Sequence, residues 1–366
     1  MSLARVVIDA RTSGTSTGRY ADKLIEYLHK LKPELQVIVL AKSERLGFFK
    51  ATAPSFKAVG CDIAEFGFAE QLKLARQIKN LKPDLVHFTI TNQPVIYRAN
   101  KLTTVHDLTL LRFDNPTWVK PIFKFKRQVY RSVIKSVAKN SRAIITPSQF
   151  VKKDLVRLSG IPAGKVAVTY EAADRISHKP EPLARLSGKR FIMYVGRATP
   201  HKNLSRLVEA FELLTQKHPD LYLVLAGKND TSYKKIGQLV TDRRLAHSVI
   251  FAGHVSEGEL RWLYENTAAY VFPSLSEGFG LPPLEAMLQG APVVSSNATC
   301  LPEVNGKAAL YFDPFSAKDM AFQIDKVLSD ARLRSQLVNK GRAQAAKYSW
   351  KRMAEQTLKI YQTLLK

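Results

Sequence analysis

Two carboxylates and two glycines lie close together in the segment SEGFGLPPLEAM, residues 276–287. Glu277 precedes Gly278 and Gly280, and Glu285 follows a Pro-Pro pair. Proline is tolerated in the first turn of a helix, so the segment predicts a loop followed by a helix that carries Glu285. Glycine lets a ligand approach the backbone, and the free N–H groups at a helix start favour an anion. We therefore expect a site for a phosphorylated ligand that is rich in hydroxyl groups.

Either carboxylate alone has a simpler explanation, because an acidic loop is common and helices favour Glu in the first turn. The combination of carboxylates, glycines and prolines favours a site. The segment resembles the Glu-x7-Glu motif of the retaining GT-B glycosyltransferases of family 4. The resemblance implies that Glu285 binds the ribose hydroxyls of a sugar nucleotide and Glu277 the hydroxyls of its sugar. It also implies that sugar and phosphate face the backbone of Gly278, Phe279, Gly280 and Leu281.

Two cations follow the strand predicted at Phe191 to Val195. Arg197 can bind a pyrophosphate with its bidentate fork and Lys202 as a point charge, although most Lys and Arg side chains are ordinary surface charges. The spacing Gly-Arg-x4-Lys-Asn matches the pyrophosphate-binding motif of the same family. Gly253-His254-Val255 resembles the segment whose backbone contacts the nucleobase, which makes Val255 a donor-binding candidate. No Asp-x-Asp pair is present, so we expect no metal and no other cofactor.

The N-terminal half contributes two further candidates. A strand at Val6 to Ile8 leads through a glycine-bearing loop into a helix, which is the phosphate-approach geometry of doubly wound folds. The loop sequence STGRY resembles the family's Gly-Ile-Gly-Arg-Tyr without its first glycine, so only Gly18 is assigned to the donor. His106 follows the strand predicted at 102–105, where open α/β sheets bind ligands, although a lone histidine there is as often a surface residue. The sequence TVHDL resembles the family's His-Asp loop, whose histidine contacts the donor sugar near the reacting carbon.

Strands and helices alternate along both halves, which predicts a parallel doubly wound sheet in each. We expect an α/β protein of GT-B architecture with two Rossmann-like domains facing across a cleft. The predicted acceptor-side domain spans 1–178, a proline-bearing linker spans 179–189, and the nucleotide-sugar domain spans 190–349. The last helix, 350–366, resembles the one that packs back on the first domain.

The stretch 116–142 is the most basic part of the chain. Its cations repeat at three- and four-residue steps, which places them along one helical face, whereas Phe125, Val129, Val133 and Val137 fall on another. An ordinary solvated helix is one explanation, and a helix lying on an anionic membrane or guiding a lipid-linked acceptor is the other. The candidate patch consists of Trp118, Lys124, Arg127, Arg131 and Lys135.

Composition limits the classes of function. The net charge of +25 is uneven, since residues 1–179 carry 31 Lys and Arg against 14 Asp and Glu and the remainder carries 25 against 17. Such a field favours polyanions: nucleic acid, anionic lipid or phosphorylated substrates. Two cysteines argue against a disulfide framework. The absence of a long apolar run and of a signal peptide predicts a cytoplasmic protein, with peripheral association at the inner membrane face open to it.

The sequence therefore predicts a retaining hexosyltransferase that uses a nucleoside-diphosphate sugar and a glycan or lipid-linked acceptor. His106 and Glu277 are assigned as catalytic only because they would position the reacting groups, and no nucleophile is assigned. The loop variants most resemble mannosyl- and rhamnosyl-type transferases of cell-surface glycan assembly, so GDP-mannose is the favoured donor. A nucleotide-sugar epimerase of the same fold is the first alternative. A basic nucleic-acid-binding protein is the second, although no RNA- or DNA-binding motif is present.

Overall fold

A computed structural model describes residues 3–65, 67, 69–113 and 120–366, without the side chains of 120–124. Its contacts divide the chain into two compact units. The first contains Met1–Leu108, Lys124–Glu171 and Ser349–Lys366, and the second contains Thr109–Phe123 and Ala172–Tyr348. The segment 179–189, predicted to be a linker, lies in the second unit, where the Ser256 hydroxyl donates to the Glu181 carboxylate at 2.8 Å.

The first unit is built on a sheet of seven parallel strands. They are β1 (Arg5–Asp9), β2 (Gln36–Ala41), β3 (Lys57–Gly60), β4 (Leu85–Phe88), β5 (Lys101–Thr104), β6 (Ala143–Thr146) and β7 (Val166–Val168). Their spatial order is β3-β2-β1-β4-β5-β6-β7. The order reverses between β1 and β4, and open α/β sheets bind ligands outside the carboxyl ends of the strands at such a point.

The second unit repeats this topology with six parallel strands. They are β8 (Arg190–Val195), β9 (Leu221–Ala226), β10 (Val249–Gly253), β11 (Ala269–Phe272), β12 (Val293–Ser296) and β13 (Ala309–Phe312). Their order is β10-β9-β8-β11-β12-β13, so the reversal falls between β8 and β11.

Helices connect the strands in both units. In the first unit they are α1 (Arg19–Lys30), α2 (Leu46–Thr52), α3 (Ala75–Asn80), α4 (Lys120–Asn140, which belongs to this unit from Lys124 onward), α5 (Gln149–Ser159) and the last helix α13 (Trp350–Leu365). In the second unit they are α6 (Leu204–Thr215), α7 (Thr231–Asp242), α8 (Glu257–Asn266), α9 (Leu281–Leu288), α10 (Leu301–Asn305), α11 (Ala317–Ser329) and α12 (Ala331–Ala345). A π-helical turn, Glu70–Leu74, runs directly into α3.

The apolar runs of the sequence form the strands because parallel strands are covered by helices on both faces. All four residues of β4 and of β11 are buried. Two strands, β3 and β13, were not predicted from the sequence, although all four residues of β13 are apolar. Each lies at the edge of its sheet, where a strand has one neighbour and is less completely buried.

A buried ion cluster closes the carboxyl end of β1. The Arg11 guanidinium donates to the carboxylates of Asp9 at 2.8 Å and Glu70 at 2.9 Å, and all three side chains are nearly inaccessible. Both carboxylates raise the pKa of Arg11 against the opposing effect of burial, so the guanidinium stays charged. Removing one partner would leave a buried charge uncompensated, so this cluster fixes the loop that follows β1.

A buried histidine anchors α13 in the first unit. His87 of β4 lies with Nδ1 2.7 Å from the Tyr361 hydroxyl and Nε2 2.8 Å from the hydroxyl of Thr104. Burial is the main cause that lowers the pKa of His87, to about 3, with a smaller contribution from His106. The imidazole is therefore neutral at pH 7, and the hydroxyls satisfy both of its nitrogens.

We predict that His87 makes the stability of the protein fall in mild acid. Below pH 6.5 the unfolded chain takes up a proton at His87 that the folded chain refuses down to about pH 3. Between pH 7 and 5 the parent should lose about 2 kcal/mol of unfolding free energy relative to His87→Gln, which does not titrate. Urea denaturation at both pH values measures the difference.

Tyr361→Phe is the control for this prediction. It removes the hydroxyl and leaves the imidazole buried, so it should lower stability at pH 7 and keep the pH dependence. A parent-minus-Gln difference that does not change with pH would contradict the assignment of a neutral buried His87.

Candidate active site

Two loops meet at the reversal point of the second sheet, one after β8 and one after β11. The backbone N–H of Leu275 donates to the carbonyl of His201 at 2.7 Å and joins them directly. Asn203, at φ 60°, donates from its side chain to the carbonyl oxygens of Pro273 at 3.1 Å and Pro314 at 2.8 Å. These bonds fix the loop that carries the cations against the loop that carries Glu277.

Lys202 and Glu277 form an ion pair across these loops. Lys202 ends a 3₁₀ turn, Pro200–Lys202, and its Nζ lies 2.5 Å from Glu277 Oε1. The side chains are only 19% and 13% exposed, so solvent screens their attraction less than at an open surface. The backbone N–H of Glu277 donates to the Thr299 hydroxyl at 3.1 Å, and the Cys300 thiol donates to the Glu277 carbonyl at 3.3 Å. These contacts fix the Lys202 ammonium group and the Glu277 carboxylate next to each other.

Arg197 lies in the same loop as Lys202. The Tyr194 hydroxyl donates to its carbonyl at 2.9 Å, and the Tyr233 hydroxyl donates to the carbonyl of Gly196 at 2.8 Å. The backbone is therefore fixed while the side chain of Arg197 is exposed. With the residues that the structure describes, its guanidinium makes no hydrogen bond or ion pair.

The helix α9 begins where the Pro-Pro pair indicates. Its first residue is Leu281, Gly280 precedes it, and Glu285 lies in its second turn, partly buried. Gly280 has φ +88°, and an added Cβ would lie 2.7 Å from Leu301 Cδ2, so the backbone here requires glycine. Phe279 packs edge to face on Tyr348 at 5.4 Å. Gly278, Phe279 and Gly280 are all buried.

The negative charges of Glu277 and Glu285 both help to raise the pKa of one buried tyrosine, Tyr270. Burial is the main cause that raises the pKa of Tyr270 well above its usual value, and the charges of Glu285 and Glu277 add to it. Burial likewise raises the pKa of Tyr194, with Glu277 among the smaller causes. The charges of Glu277, in the loop before α9, and of Glu285, within α9, therefore both reach Tyr270 of β11.

Val255 lies between β10 and α8 and is partly buried. Gly253, two residues earlier, borders a cavity of about 280 Å³ in the second unit. The lining residues are Gly227, Asn229, Tyr233, Lys234, Gly237, Phe251 and Gly253.

In the first unit, His106 follows β5 and is held on both sides. Its Nδ1 lies 3.0 Å from Glu171 Oε1 and its Nε2 lies 2.9 Å from the carbonyl oxygen of Thr89. Gly18 is the N-cap of α1, and an added Cβ would lie 1.8 Å from the Thr12 carbonyl oxygen. The glycine therefore lets the loop after β1 close on the helix start, a packing reason that the sequence did not indicate.

The basic helix α4 shows an unexpected arrangement of its apolar residues. Phe125 is 71% and Val129 46% exposed, whereas Val137 is buried. Residues four apart turn about 40° further round a helix at each step, so this line of residues runs from solvent into the core. The expectation that these four residues share one face was wrong for that reason.

The basic residues of the patch lie on a different face of α4 from Phe125 and Val129. Arg131 is exposed, and Arg127 and Lys135 are partly exposed. Lys124 lies in α4, its side chain undescribed, and Trp118 lies outside the described residues.

The structure thus brings together Lys202, Glu277 and the start of α9 in one unit, and His106 with Glu171 in the other. Sequence reasoning missed Thr299 and Glu171, which act through contacts with residues distant in the chain and carry no local motif. It included Asn203 only as the end of the Gly-Arg-x4-Lys-Asn spacing, without its role in joining the loops. It also missed the buried Ser276 hydroxyl, 3.0 Å from the hydroxyl of Thr109. Together these contacts orient the candidate groups rather than adding new ones.

The described part of the chain has neither a cluster of metal ligands nor a membrane-spanning helix. It contains no group of three or more His, Cys, Asp or Glu side chains placed to hold a metal ion. None of its helices is long and apolar enough to cross a bilayer. Metal independence remains a prediction.

Comparison with known proteins identifies the family. Residues 17–175 match the model "Glycosyltransferase Family 4" and residues 176–344 match "Glycosyl transferases group 1". O-antigen chain mannosyltransferase B of Escherichia coli is 32% identical over 288 residues, which are 75% of this chain and 74% of that protein. O-antigen chain mannosyltransferase RfbU of Salmonella typhimurium is 26% identical over 86% of this chain and 88% of its own length. The chain belongs to the family 4 and group 1 glycosyltransferases.

A solved structure agrees on the fold. Anabaena HepE in complex with UDP and glucose superposes with a TM-score of 0.75 at 17% identity, covering 98% of this chain and 99% of its own. The predicted GT-B architecture, with a Rossmann-like sheet in each of two units, is confirmed. The epimerase and nucleic-acid-binding alternatives are not favoured by these relatives.

We predict that Gly280→Ala destabilises the protein more than Gly160→Ala. Both glycines have positive φ, at +88° and +70°, but nothing lies within 4 Å of a Cβ added at Gly160. Alanine at Gly160 should cost about 1–2 kcal/mol for the left-handed backbone. At Gly280 the displacement of buried Leu301 should add about 1–3 kcal/mol. Denaturant unfolding of both variants measures this, and equal losses would contradict the tight fit at Gly280.

Proposed function

We propose that the chain is a retaining, metal-independent mannosyltransferase. It would move the mannosyl group of a nucleoside-diphosphate sugar, with GDP-mannose favoured, to a glycan or lipid-linked acceptor. The observation that carries the proposal is the Lys202–Glu277 ion pair beside the exposed Arg197. It offers a cation for a diphosphate and a carboxylate for sugar hydroxyls at adjacent positions. The names of the two O-antigen mannosyltransferases support the sugar, and UDP with glucose in the HepE complex supports a nucleotide donor.

The donor diphosphate would lie against Arg197, Lys202 and the backbone N–H of Leu281 at the start of α9, since Pro282 and Pro283 carry no N–H. An ammonium group has three donors, so Lys202 can contact a phosphate oxygen while it keeps its bond to Glu277. Glu277 would bind hydroxyls of the sugar, and Glu285 the ribose hydroxyls. Charge that develops on the phosphate oxygens in the transition state would then meet donors already in place.

The transfer exchanges one bond at the anomeric carbon for another. The bond from that carbon to the diphosphate oxygen breaks, and the acceptor oxygen forms its bond on the same face of the sugar. The acceptor hydroxyl loses its proton to the departing diphosphate. Because cationic side chains neutralise the leaving group, no metal is needed in this scheme. No protein nucleophile is required either.

Arg197→Ala and Lys202→Ala should each reduce kcat/KM for transfer more than tenfold. A charge-assisted hydrogen bond contributes roughly 1.5–3 kcal/mol, and its loss acts on the transition state. The assay follows nucleoside diphosphate released from GDP-mannose in the presence of acceptor, with and without EDTA. Beforehand, thermal shift with a panel of sugar nucleotides selects the donor, since a ligand at 100 times its Kd adds about 2.7 kcal/mol.

Lys217→Ala is the matched control. Lys217 also pairs with a carboxylate, Asp325, at 2.5 Å, but on the side of the second unit formed by α6 and α11. Its variant should transfer at the parent's rate. Full activity in both Arg197→Ala and Lys202→Ala would remove the proposed diphosphate site. Loss of the parent's activity in EDTA would remove metal independence.

A second part of the proposal concerns α4. The basic residues of α4, together with the exposed Phe125 and Val129 of the same helix, fit an anionic lipid surface, because cations attract the headgroups and apolar side chains enter between them. The inner membrane face would present such a surface near a lipid-linked acceptor. Each nearby Lys or Arg contributes about 1 kcal/mol.

Changing Lys124, Arg127, Arg131 and Lys135 together to Gln should weaken vesicle binding at least tenfold. The measurement is co-sedimentation with anionic and neutral vesicles at low and high salt, because exposed charges are screened within about 10 Å at 0.1 M. A control variant changes the same number of exposed cations in the second unit: Lys235, Lys318, Arg332 and Lys340. Binding that ignores lipid charge, or that the control weakens equally, would show that α4 is an ordinary solvated helix.

A further inference from the structure

His106 faces a hydrogen-bond acceptor from each of its two ring nitrogens. The carbonyl oxygen of Thr89 lies 2.9 Å from Nε2, and a carboxylate oxygen of Glu171 lies 3.0 Å from Nδ1. A carbonyl oxygen can only accept, so Nε2 carries a proton. A neutral imidazole has one proton, which would leave the bare Nδ1 facing a carboxylate. Only the doubly protonated ring, an imidazolium, donates to both partners.

The surroundings of His106 favour this charged form. Burial of the ring lowers its pKa, but the hydrogen bond and the charge of Glu171 raise it, as do the Thr89 carbonyl and Asp107, and the net direction is upward. The Glu171 side chain is 8% exposed, so water weakens this pair little. Of the other titratable neighbours, His87 stays neutral with a pKa of about 3, and burial raises the pKa of Tyr20, which stays neutral too.

The position of the ring is fixed as well as its charge. Tyr20 of α1 packs on it edge to face, with ring centroids 4.9 Å apart. Glu171 follows β7, two strands away from β5 in the sheet, whereas Thr89 follows β4 on the other side. The ring is thus held from both sides of β5, by Thr89 on one side and Glu171 on the other. The side chain of His106 is 18% exposed.

We propose that Glu171 is a positioning residue that holds His106 as a fixed imidazolium at the carboxyl end of β5. The proposal deepens the proposed function and rests on it for the role of His106 in transfer. With both nitrogens bonded, His106 has no lone pair to act as a base. It supplies a positive charge and polarised C–H groups toward electron-rich oxygen, which phosphate and sugar hydroxyls both offer.

Glu171→Gln tests the charge while keeping the shape. The amide oxygen can still accept from Nδ1–H, but the negative charge that favours the imidazolium is gone. NMR titration of the His106 ring should give a pKa above 6.5 in the parent and one at least one pH unit lower in Glu171→Gln. The chain has eight histidines, so His106→Asn identifies the signal. An unchanged His106 titration in Glu171→Gln would overturn the proposal, whatever the enzyme transfers.

Asp325→Asn provides a matched control. Asp325 also bonds a histidine, His218, at 2.8 Å, in the second unit and with similar exposure of both side chains. Removing that carboxylate should leave the titration of His106 where it is in the parent. A shift of His106 in this control as large as in Glu171→Gln would mean that net charge, and not the contact, sets the imidazolium.

The pH profile separates positioning from a merely structural role. In Glu171→Gln, transfer should approach the parent's rate one pH unit below the variant's own His106 pKa, where the imidazole is protonated in both. One pH unit above the parent's His106 pKa, the ratio of variant to parent rate should be smaller by roughly tenfold for each pH unit that separates the two pKa values. A ratio that is low but constant with pH would mean that Glu171 only supports the loop after β7, and would overturn the proposal. If the protein uses no sugar nucleotide, the proposed transferase function is wrong. The NMR titration still tests whether Glu171 holds His106 as an imidazolium.

Discussion

Parallel strands impose the constraint on which this protein depends. In each sheet all strands point the same way, so every loop that follows a strand leaves from the same edge. The reversal of strand order then opens that edge between two neighbouring strands. Lys202 follows β8 and Glu277 follows β11, the two strands at the reversal in the second sheet. Residues far apart in the chain therefore form an ion pair without any motif joining them.

Part of the site in the second unit could be predicted from the sequence, because some residues determine the backbone next to them. Gly280, the Pro-Pro pair and Glu285 specify their own loop and helix start, because glycine and proline act on the backbone of their neighbours. Most strands were readable as buried apolar runs. The edge strands β3 and β13 were not predicted. The burial of the apolar residues along α4 was also predicted wrongly, because it depends on which neighbouring elements cover each part of the helix.

Contacts between distant residues could not be read in the same way. Glu171 lies in a segment with no recognisable signal, and its importance comes only from the ring of His106 beside it. Thr299 orients Glu277 from a position 22 residues later. Gly18 was assigned from a loop resemblance, whereas the structure adds a packing need at Thr12. The candidate site residues could be predicted from their residue types, whereas the residues that orient them, such as Glu171 and Thr299, could not.

The bond between His87 and Tyr361 spans 274 residues and has a consequence for biosynthesis. A ribosome makes the chain from its N-terminus onward, so the first unit lacks α13 until Trp350–Leu365 has been synthesised. The larger part of the second unit, Ala172–Tyr348, emerges before that helix does. Domains generally fold as units as they leave the ribosome, the earlier ones first. Here the order of completion is reversed: the nascent chain carries an unfinished first unit, with the apolar surface that α13 covers exposed to chaperones, until the residues of α13 have emerged.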